Sequence, residues 1–109
     1  MKKKLTNEIL HLIANRFRVL AEPLRLEILQ NLGAEERSVG EIVLATGATQ
    51  PNVSKHLRVM QEAGILKRRQ EKNSVYYSIA DESIFAMCDT VCNSLKVQTE
   101  NQSKIMALA

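Results

Sequence analysis

Apolar residues return every third or fourth position through most of the chain, and short polar or glycine breaks divide that pattern into five helical segments. The first covers residues 6–20, with Ile9, Ile13, Phe17 and Leu20 on one stripe. Pro23 opens a second over residues 23–32, where Leu24, Ile28 and Leu32 recur and Gly33 stops the helix. Ala34-Glu35-Glu36-Arg37 reads as a polar loop. Ser38-Val39-Gly40-Glu41 has the form of a capping box, a serine cap with a glutamate three residues later. The third helix carries Ile42, Val43 and Leu44 and ends at Gly47. Only Ala48 separates that glycine from Thr49, so the next helix starts across a tight turn, the spacing of a helix-turn-helix.

The fourth segment has a written start signal. Thr49 is placed to cap it by accepting a hydrogen bond from a free backbone N–H, and Pro51 sits in the first turn, where its missing N–H costs nothing. Val53, Leu57 and Met60 recur at i, i+4 and i+7 and must face a core. The opposite face carries Gln50, Asn52, Ser54, Lys55 and Arg58, side chains that hydrogen-bond base edges and neutralise phosphates. His56 lies among these positions and is read as a phosphate or backbone hydrogen-bonder. An ordinary surface helix shares this pattern, so the flanking segments decide.

Gly64 ends the fourth helix. Ile65–Arg69 and Ser74–Ile79 then read as two strands, with Gln70-Glu71-Lys72-Asn73 as the tip of a hairpin. Asp81 caps a last helix over residues 81–97, where Ile84, Cys88, Val91 and Leu95 are spaced 4, 3, 4 and Phe85 and Cys92 widen the stripe. A two-stranded seam wants that spacing, which predicts packing against a partner subunit. Fraying is expected from Gln98 onward. The fold class is mainly α with a β-hairpin wing, a winged helix-turn-helix. It forms one domain over residues 1–109: helix-turn-helix 38–63, wing 65–79, dimerisation helices 6–20 and 81–97.

Charge sharpens the picture by its distribution. The net charge of +3 and pI near 9.0 are only mildly basic. Residues 50–79 hold Lys55, Arg58, Lys67, Arg68, Arg69 and Lys72 against Glu62 and Glu71, a net +4. Residues 80–109 hold Lys96 and Lys104 against Asp81, Glu82, Asp89 and Glu100, a net −2. Positive charge concentrated mid-chain is the footprint of a nucleic-acid partner. Arg68, Arg69 and Lys72, with Lys67, could straddle a DNA backbone beside the groove that takes the fourth helix. Lysine and arginine also blunt exposed strand edges, the plainer reading of the same cluster.

Met1-Lys2-Lys3-Lys4 opens like a signal peptide, but Thr6, Asn7, Glu8, His11, Asn15 and Arg16 break the apolar core that should follow. No apolar run approaches a membrane span. A cytoplasmic protein with reduced thiols is expected. Cys88 and Cys92, at i and i+4, put both sulfurs on one helix face, which suits a thiolate-bound metal or metalloid ion. They also suit a redox pair, although a bridge within one continuous helix is difficult, or two small hydrophobes. His11 is a surface histidine or an added ligand from the partner's first helix. No Gly-rich phosphate loop, triad or carboxylate pair appears, and His56 has no nucleophile beside it, so an enzyme is not expected.

Phe17-Arg18-Val19-Leu20-Ala21-Glu22-Pro23-Leu24-Arg25-Leu26-Glu27-Ile28-Leu29 resembles the entry signature of the ArsR/SmtB family of bacterial repressors. Asn52-Val53-Ser54-Lys55-His56-Leu57 resembles its recognition helix, and Glu62-Ala63-Gly64-Ile65-Leu66 its exit into the wing. The similarity covers roughly residues 8–95, with three ordered motifs at the expected separations. It implies a homodimer that binds an imperfect palindrome in double-stranded DNA and is released by an inducer. The chain departs from the family's sensors at three places. Val43-Leu44-Ala45 stands where third-helix metal sites carry cysteines, Asp89 lacks the paired Asp/His ligands of the zinc-type site, and Gln30 marks where sulfide-responsive members carry a thiol. A thiol-based site in the last helix, completed across the dimer, is what remains. The rival from another class is a winged-helix protein-interaction module with structural cysteines and no inducer.

Overall fold

The computed structural model describes residues 4–98, so the lysines of Met1–Lys3 and the fraying expected beyond Gln98 lie outside the described residues. In chain order the elements are α1 (Asn7–Leu20), α2 (Pro23–Leu32), β1 (Arg37–Ser38), α3 (Val39–Thr46), α4 (Gln50–Glu62), β2 (Leu66–Glu71), β3 (Ser74–Ile79) and α5 (Ser83–Gln98). The three strands form one antiparallel sheet in the order β1-β3-β2.

Local chemistry starts and stops these helices. The Thr6 hydroxyl accepts from Ile9 N at 3.2 Å to begin α1. Ser38 and Glu41 close the capping box reciprocally: Glu41 N donates to Ser38 Oγ at 3.2 Å, and Ser38 N donates to Glu41 Oε1 at 2.9 Å. Those bonds hold the Glu41 carboxyl below the usual carboxylate range. Gly47 closes α3 at φ 71, the left-handed conformation that lets the chain reverse into α4 within two residues. Asp81 Oδ1 accepts from the Ser83 hydroxyl and from Ser83 N, heading α5 as expected.

Three expectations are corrected. Thr49 occupies the cap position of α4 with extended backbone, but its side chain makes no capping hydrogen bond. Pro51 has already removed one of the donors that such a cap would serve. The loop expected over residues 34–37 ends in a strand: Arg37 and Ser38 pair with Tyr77 and Tyr76. Two residues are too few to show alternation, so this pairing is decided by the free edge of β3. The hairpin tip is also shorter than expected. Gln70 pairs with Val75 and Glu71 with Ser74, leaving a two-residue loop in which Lys72 takes φ 56.

The core lies between α2, α3, α4 and the sheet. Ile28, Leu32, Ile42, Val53, Leu57, Met60, Ile65 and Ile84 are fully buried, so the stripe read on α4 faces the core as expected. The stripe read on α1 splits. Leu20 and its neighbour Val19 are buried, whereas Ile9 and Phe17 are exposed, Phe17 by 54%. On α5 only Ile84 is buried, and Val91 is 52% exposed. α1 and α5 therefore carry an apolar face that the other described residues do not cover.

This division has a measurable consequence. Leu57→Ala should lower the unfolding free energy by about 2–5 kcal/mol in urea titration, through lost burial and the cavity left behind. Leu12→Ala, on a side chain 71% exposed, should change it by no more than about 0.5 kcal/mol.

Candidate DNA-contacting surface and thiol groove

Burial of Val53, Leu57 and Met60 turns the other face of α4 outward, and Gln50, Asn52, Ser54, Lys55 and Arg58 are all exposed on it. The exposed Thr49 precedes them at the N-terminal end. The wing tip approaches that same end: Gln50 shares a shallow cleft with Asn73 and Ser74 and with Ser38–Gly40 at the start of α3. Arg68 and Lys72 are exposed on the wing. The sequence reading missed Asn73 and Ser74 as neighbours of Gln50 because it assigned them to hairpin geometry alone.

Arg69 is exposed but engaged by the chain's own carboxylates. Its guanidinium meets Glu36 in a two-pronged pair (Nη2 to Oε1 2.7 Å, Nε to Oε2 3.0 Å), and Nη1 reaches Glu71 Oε2 at 2.8 Å. It also lies over the Tyr76 ring, 4.8 Å from the centroid. The hydrogen bonds to Glu36 and Glu71 raise the Arg69 pKa, and Arg69 in turn holds Glu36 below the usual carboxylate range. A cation already matched by two carboxylates fastens the wing to the loop before β1 and has little charge left for a phosphate.

His56 is turned inward, 7% exposed, and does not join the outward row. Its position three residues after Val53 and four before Met60 puts it on the apolar side of the helix. Arg25 Nε donates to His56 Nδ1 at 2.9 Å, and Arg25 Nη1 donates to Val19 O at 2.9 Å. Because arginine only donates, the imidazole is neutral, with its proton on Nε2. Burial lowers the His56 pKa first, and the nearby Arg25 and Lys55 charges lower it further against a weaker pull from Glu22. Arg16, which the sequence reading did not single out, donates to Asp81 Oδ2 at 3.0 Å and to Ala63 O at 3.1 Å.

On α1, α2 and α5, Phe17, Leu20, Leu26, Met87, Val91 and Leu95 line an apolar groove of about 350 Å³ together with Cys88 and Cys92. The structure thus brings the two thiols together, Cys88 exposed and Cys92 half-buried. His11 is exposed on α1, does not line the groove, and pairs through Nδ1 with Asn7 O at 2.7 Å. Among the described residues of one chain, no three His, Cys, Asp or Glu side chains gather where they could hold a metal ion.

Comparison with known proteins agrees with this geometry. The family described as "Helix-turn-helix domain" matches residues 20–69. The Mycobacterium tuberculosis regulator Rv0081 is 39% identical over 72 residues, 65% of this chain and 63% of that protein. Its crystal structure superposes with a TM-score of 0.77 at 30% identity, over 90% of this chain and 99% of that one. The homodimeric winged helix-turn-helix DNA-binding domain Mb0332 of Mycobacterium bovis, described as a possible ArsR-family transcriptional regulator, gives a TM-score of 0.71 at 31% identity, over 85% and 91% of the two chains. The M. tuberculosis transcriptional repressor SmtB is 35% identical over 77 residues, 71% of this chain and 57% of that protein. The chain belongs to the ArsR/SmtB family.

That family consists of DNA-binding transcriptional regulators, not enzymes. The alignments with Rv0081 and SmtB span less than two thirds of those proteins' own lengths. The helix-turn-helix match in this ArsR/SmtB chain ends at Arg69, within β2, so α5 and its thiols lie outside it. The matched segment includes all of α4.

A pH effect follows from His56. Its folded-state pKa lies below the ordinary 6.5, so acid protonates the unfolded chain first. Stability should be constant with respect to His56 above that value and fall as the pH drops from 6.5 toward the lowered value. The carboxylates Glu36, Glu41 and Asp81, with pKa values below their ordinary 4.5, 4.5 and 3.8, add their own losses only at lower pH. Urea titrations between about pH 5 and 8 should show the decline in the wild type and a flatter profile for His56→Asn.

Proposed function

We propose that this chain is a homodimeric transcriptional repressor that reads a palindromic operator with α4 and releases it when an inducer engages the thiols of α5. The observation that carries the reading is the two-sidedness of α4, with Val53, Leu57 and Met60 fully buried and Gln50, Asn52, Ser54, Lys55 and Arg58 all exposed on the other face. Gln50, Asn52 and Ser54 supply base-edge hydrogen bonds, while Thr49, Lys55, Arg58, Arg68 and Lys72 serve the phosphates. His56 and Arg69 act one step back, holding the helix and the wing that carry those residues.

Dimerisation supplies the second half of the operator contact. Phe17 on α1 and Val91 on α5 are each more than half exposed and belong to one apolar face, which a second copy covers about a two-fold axis. The two α4 helices then enter successive major grooves, about 34 Å apart. The relative Mb0332 is itself described as homodimeric.

The inducer site is assigned to Cys88 and Cys92 in a cytoplasmic, reducing setting where both stay thiols. Two thiols from one chain are too few to enclose a metal ion, so a soft metal or metalloid would draw on the four sulfurs that a two-fold seam brings together. An oxidant or a reactive sulfur species is the alternative inducer at the same groups. Either event alters the packing of α5 on its partner and with it the spacing of the two α4 helices. A second reading rests on the apolar lining of the groove, which also suits cysteines that merely pack in a dimer interface.

DNA binding tests the first part. Affinity for duplex DNA should fall steeply with salt, and Asn52→Ala should cost about 1–3 kcal/mol at one operator position and relax preference there. Arg68→Ala and Lys72→Ala should weaken all sequences alike and flatten the salt slope. A salt-independent affinity would favour the protein-interaction module.

Thiol sensing is tested by comparing wild type with Cys88→Ser and Cys92→Ser for operator affinity, with and without arsenite, zinc, cadmium, peroxide and a persulfide donor. At least one of these should weaken DNA binding by wild type about 5–150-fold and leave the serine variants unaffected. Wild-type affinity unchanged by all five would leave the cysteines as packing residues.

A further inference from the structure

We infer that Arg16 and Arg25 are positioning residues for DNA recognition, two clasps that set the angle of α4 against α1, α2 and α5. This rests on the reading of α4 as the DNA-contacting helix. Arg16, on α1, forks between two acceptors: Asp81 Oδ2 at the head of α5 (3.0 Å) and Ala63 O at the C-terminal cap of α4 (3.1 Å). The last carbonyls of a helix have no partner within it, so this bond ties down a group that the helix itself leaves open. Arg25, on α2, forks between His56 Nδ1 on α4 and Val19 O near the end of α1, both at 2.9 Å.

The two points of attachment on α4, His56 and Ala63, lie two turns apart along the axis, roughly 10 Å. One fixed point locates a helix, and two also fix its direction. Burial of Val53, Leu57 and Met60 sets which face of α4 turns inward, through a force that is itself non-directional, whereas these hydrogen bonds constrain both distance and angle. Both guanidiniums are part-buried and engaged with protein acceptors, so neither belongs to the outward row that meets phosphate. Arginine suits the task because its rigid fork serves two acceptors at once. Base-edge bonds tolerate only a few tenths of an ångström, and phosphate attraction tolerates far more. Loosening the clasps therefore removes sequence discrimination before it removes affinity.

The test uses duplexes selected from a random pool by the wild-type protein, with a scrambled duplex as the non-specific probe, each titrated over a salt series. Arg16→Met and Arg25→Met, dimeric by sedimentation and folded by circular dichroism, should lose about tenfold or more of the selected-over-scrambled ratio. Their scrambled affinity and its salt slope should match wild type. His56→Asn, whose side-chain oxygen can accept from Arg25 in place of Nδ1, should keep the ratio within about threefold. An unchanged ratio in the methionine variants overturns the proposal. So does a matching fall in scrambled affinity with a flatter slope, which would make the arginines phosphate contacts. If the methionine variants do not fold, Arg16→Lys decides, because it keeps the charge and loses the fork. A ratio equal to wild type there overturns the role of Arg16. A wild type that selects no sequence defeats the DNA reading itself, an outcome distinct from variants that retain discrimination.

Discussion

Everything in this protein depends on one helix being held firmly on one side while it stays open on the other. Val53, Leu57 and Met60 vanish into the core, where they meet Ile28, Leu32 and Ile42 from the two preceding helices. Each such side chain contributes about 1.5–3 kcal/mol of burial, and together they leave the polar face of α4 no alternative but to face outward. The short reversal at Gly47 and Ala48 then sets how α3 braces α4. The sheet joins the same core through Leu66 and Tyr77, and Ile65 enters it from the turn before β2.

Around that helix the charged groups divide into two populations. Lys55, Arg58, Arg68 and Lys72 face solvent. Arg16, Arg25, Arg37 and Arg69 instead reach carbonyls, carboxylates or an imidazole within the protein. The pairs at Arg69 are surface-exposed and contribute little to stability singly, but three contacts on one guanidinium restrict where the wing can stand. The basic total of the middle segment thus overstates the charge available to a partner.

Much of the fold was legible in the sequence because its signals are local. The helices from Asn7 to Glu62 begin or end within a residue or two of a cap, a proline or a glycine, and the α4 stripe named its core residues correctly. What escaped the reading depends on contacts far along the chain. Arg37 and Ser38 become a strand only because Tyr77 and Tyr76 present an edge to them. Arg69 looks like any other wing cation until Glu36, 33 residues earlier, is seen beside it. His56 was readable and was misjudged: it has the spacing of the buried face, but its polarity drew attention to the wrong side of the helix. Arg16 carries no local sign of its role, since its acceptors are 47 and 65 residues away.

The attachment of α5 bears on how such a protein changes over generations. That helix contributes a single fully buried side chain, Ile84, with Met87 packed against the same core. Substitutions beyond those two positions alter the apolar groove and its thiols without disturbing the side chains that stabilise α4. Surface changes of that kind usually cost no more than about 0.5 kcal/mol. The polar positions at the far end of α5 are therefore free to drift, and side chains of the groove can change together with whatever face covers them, while the outward face of α4 is inherited intact.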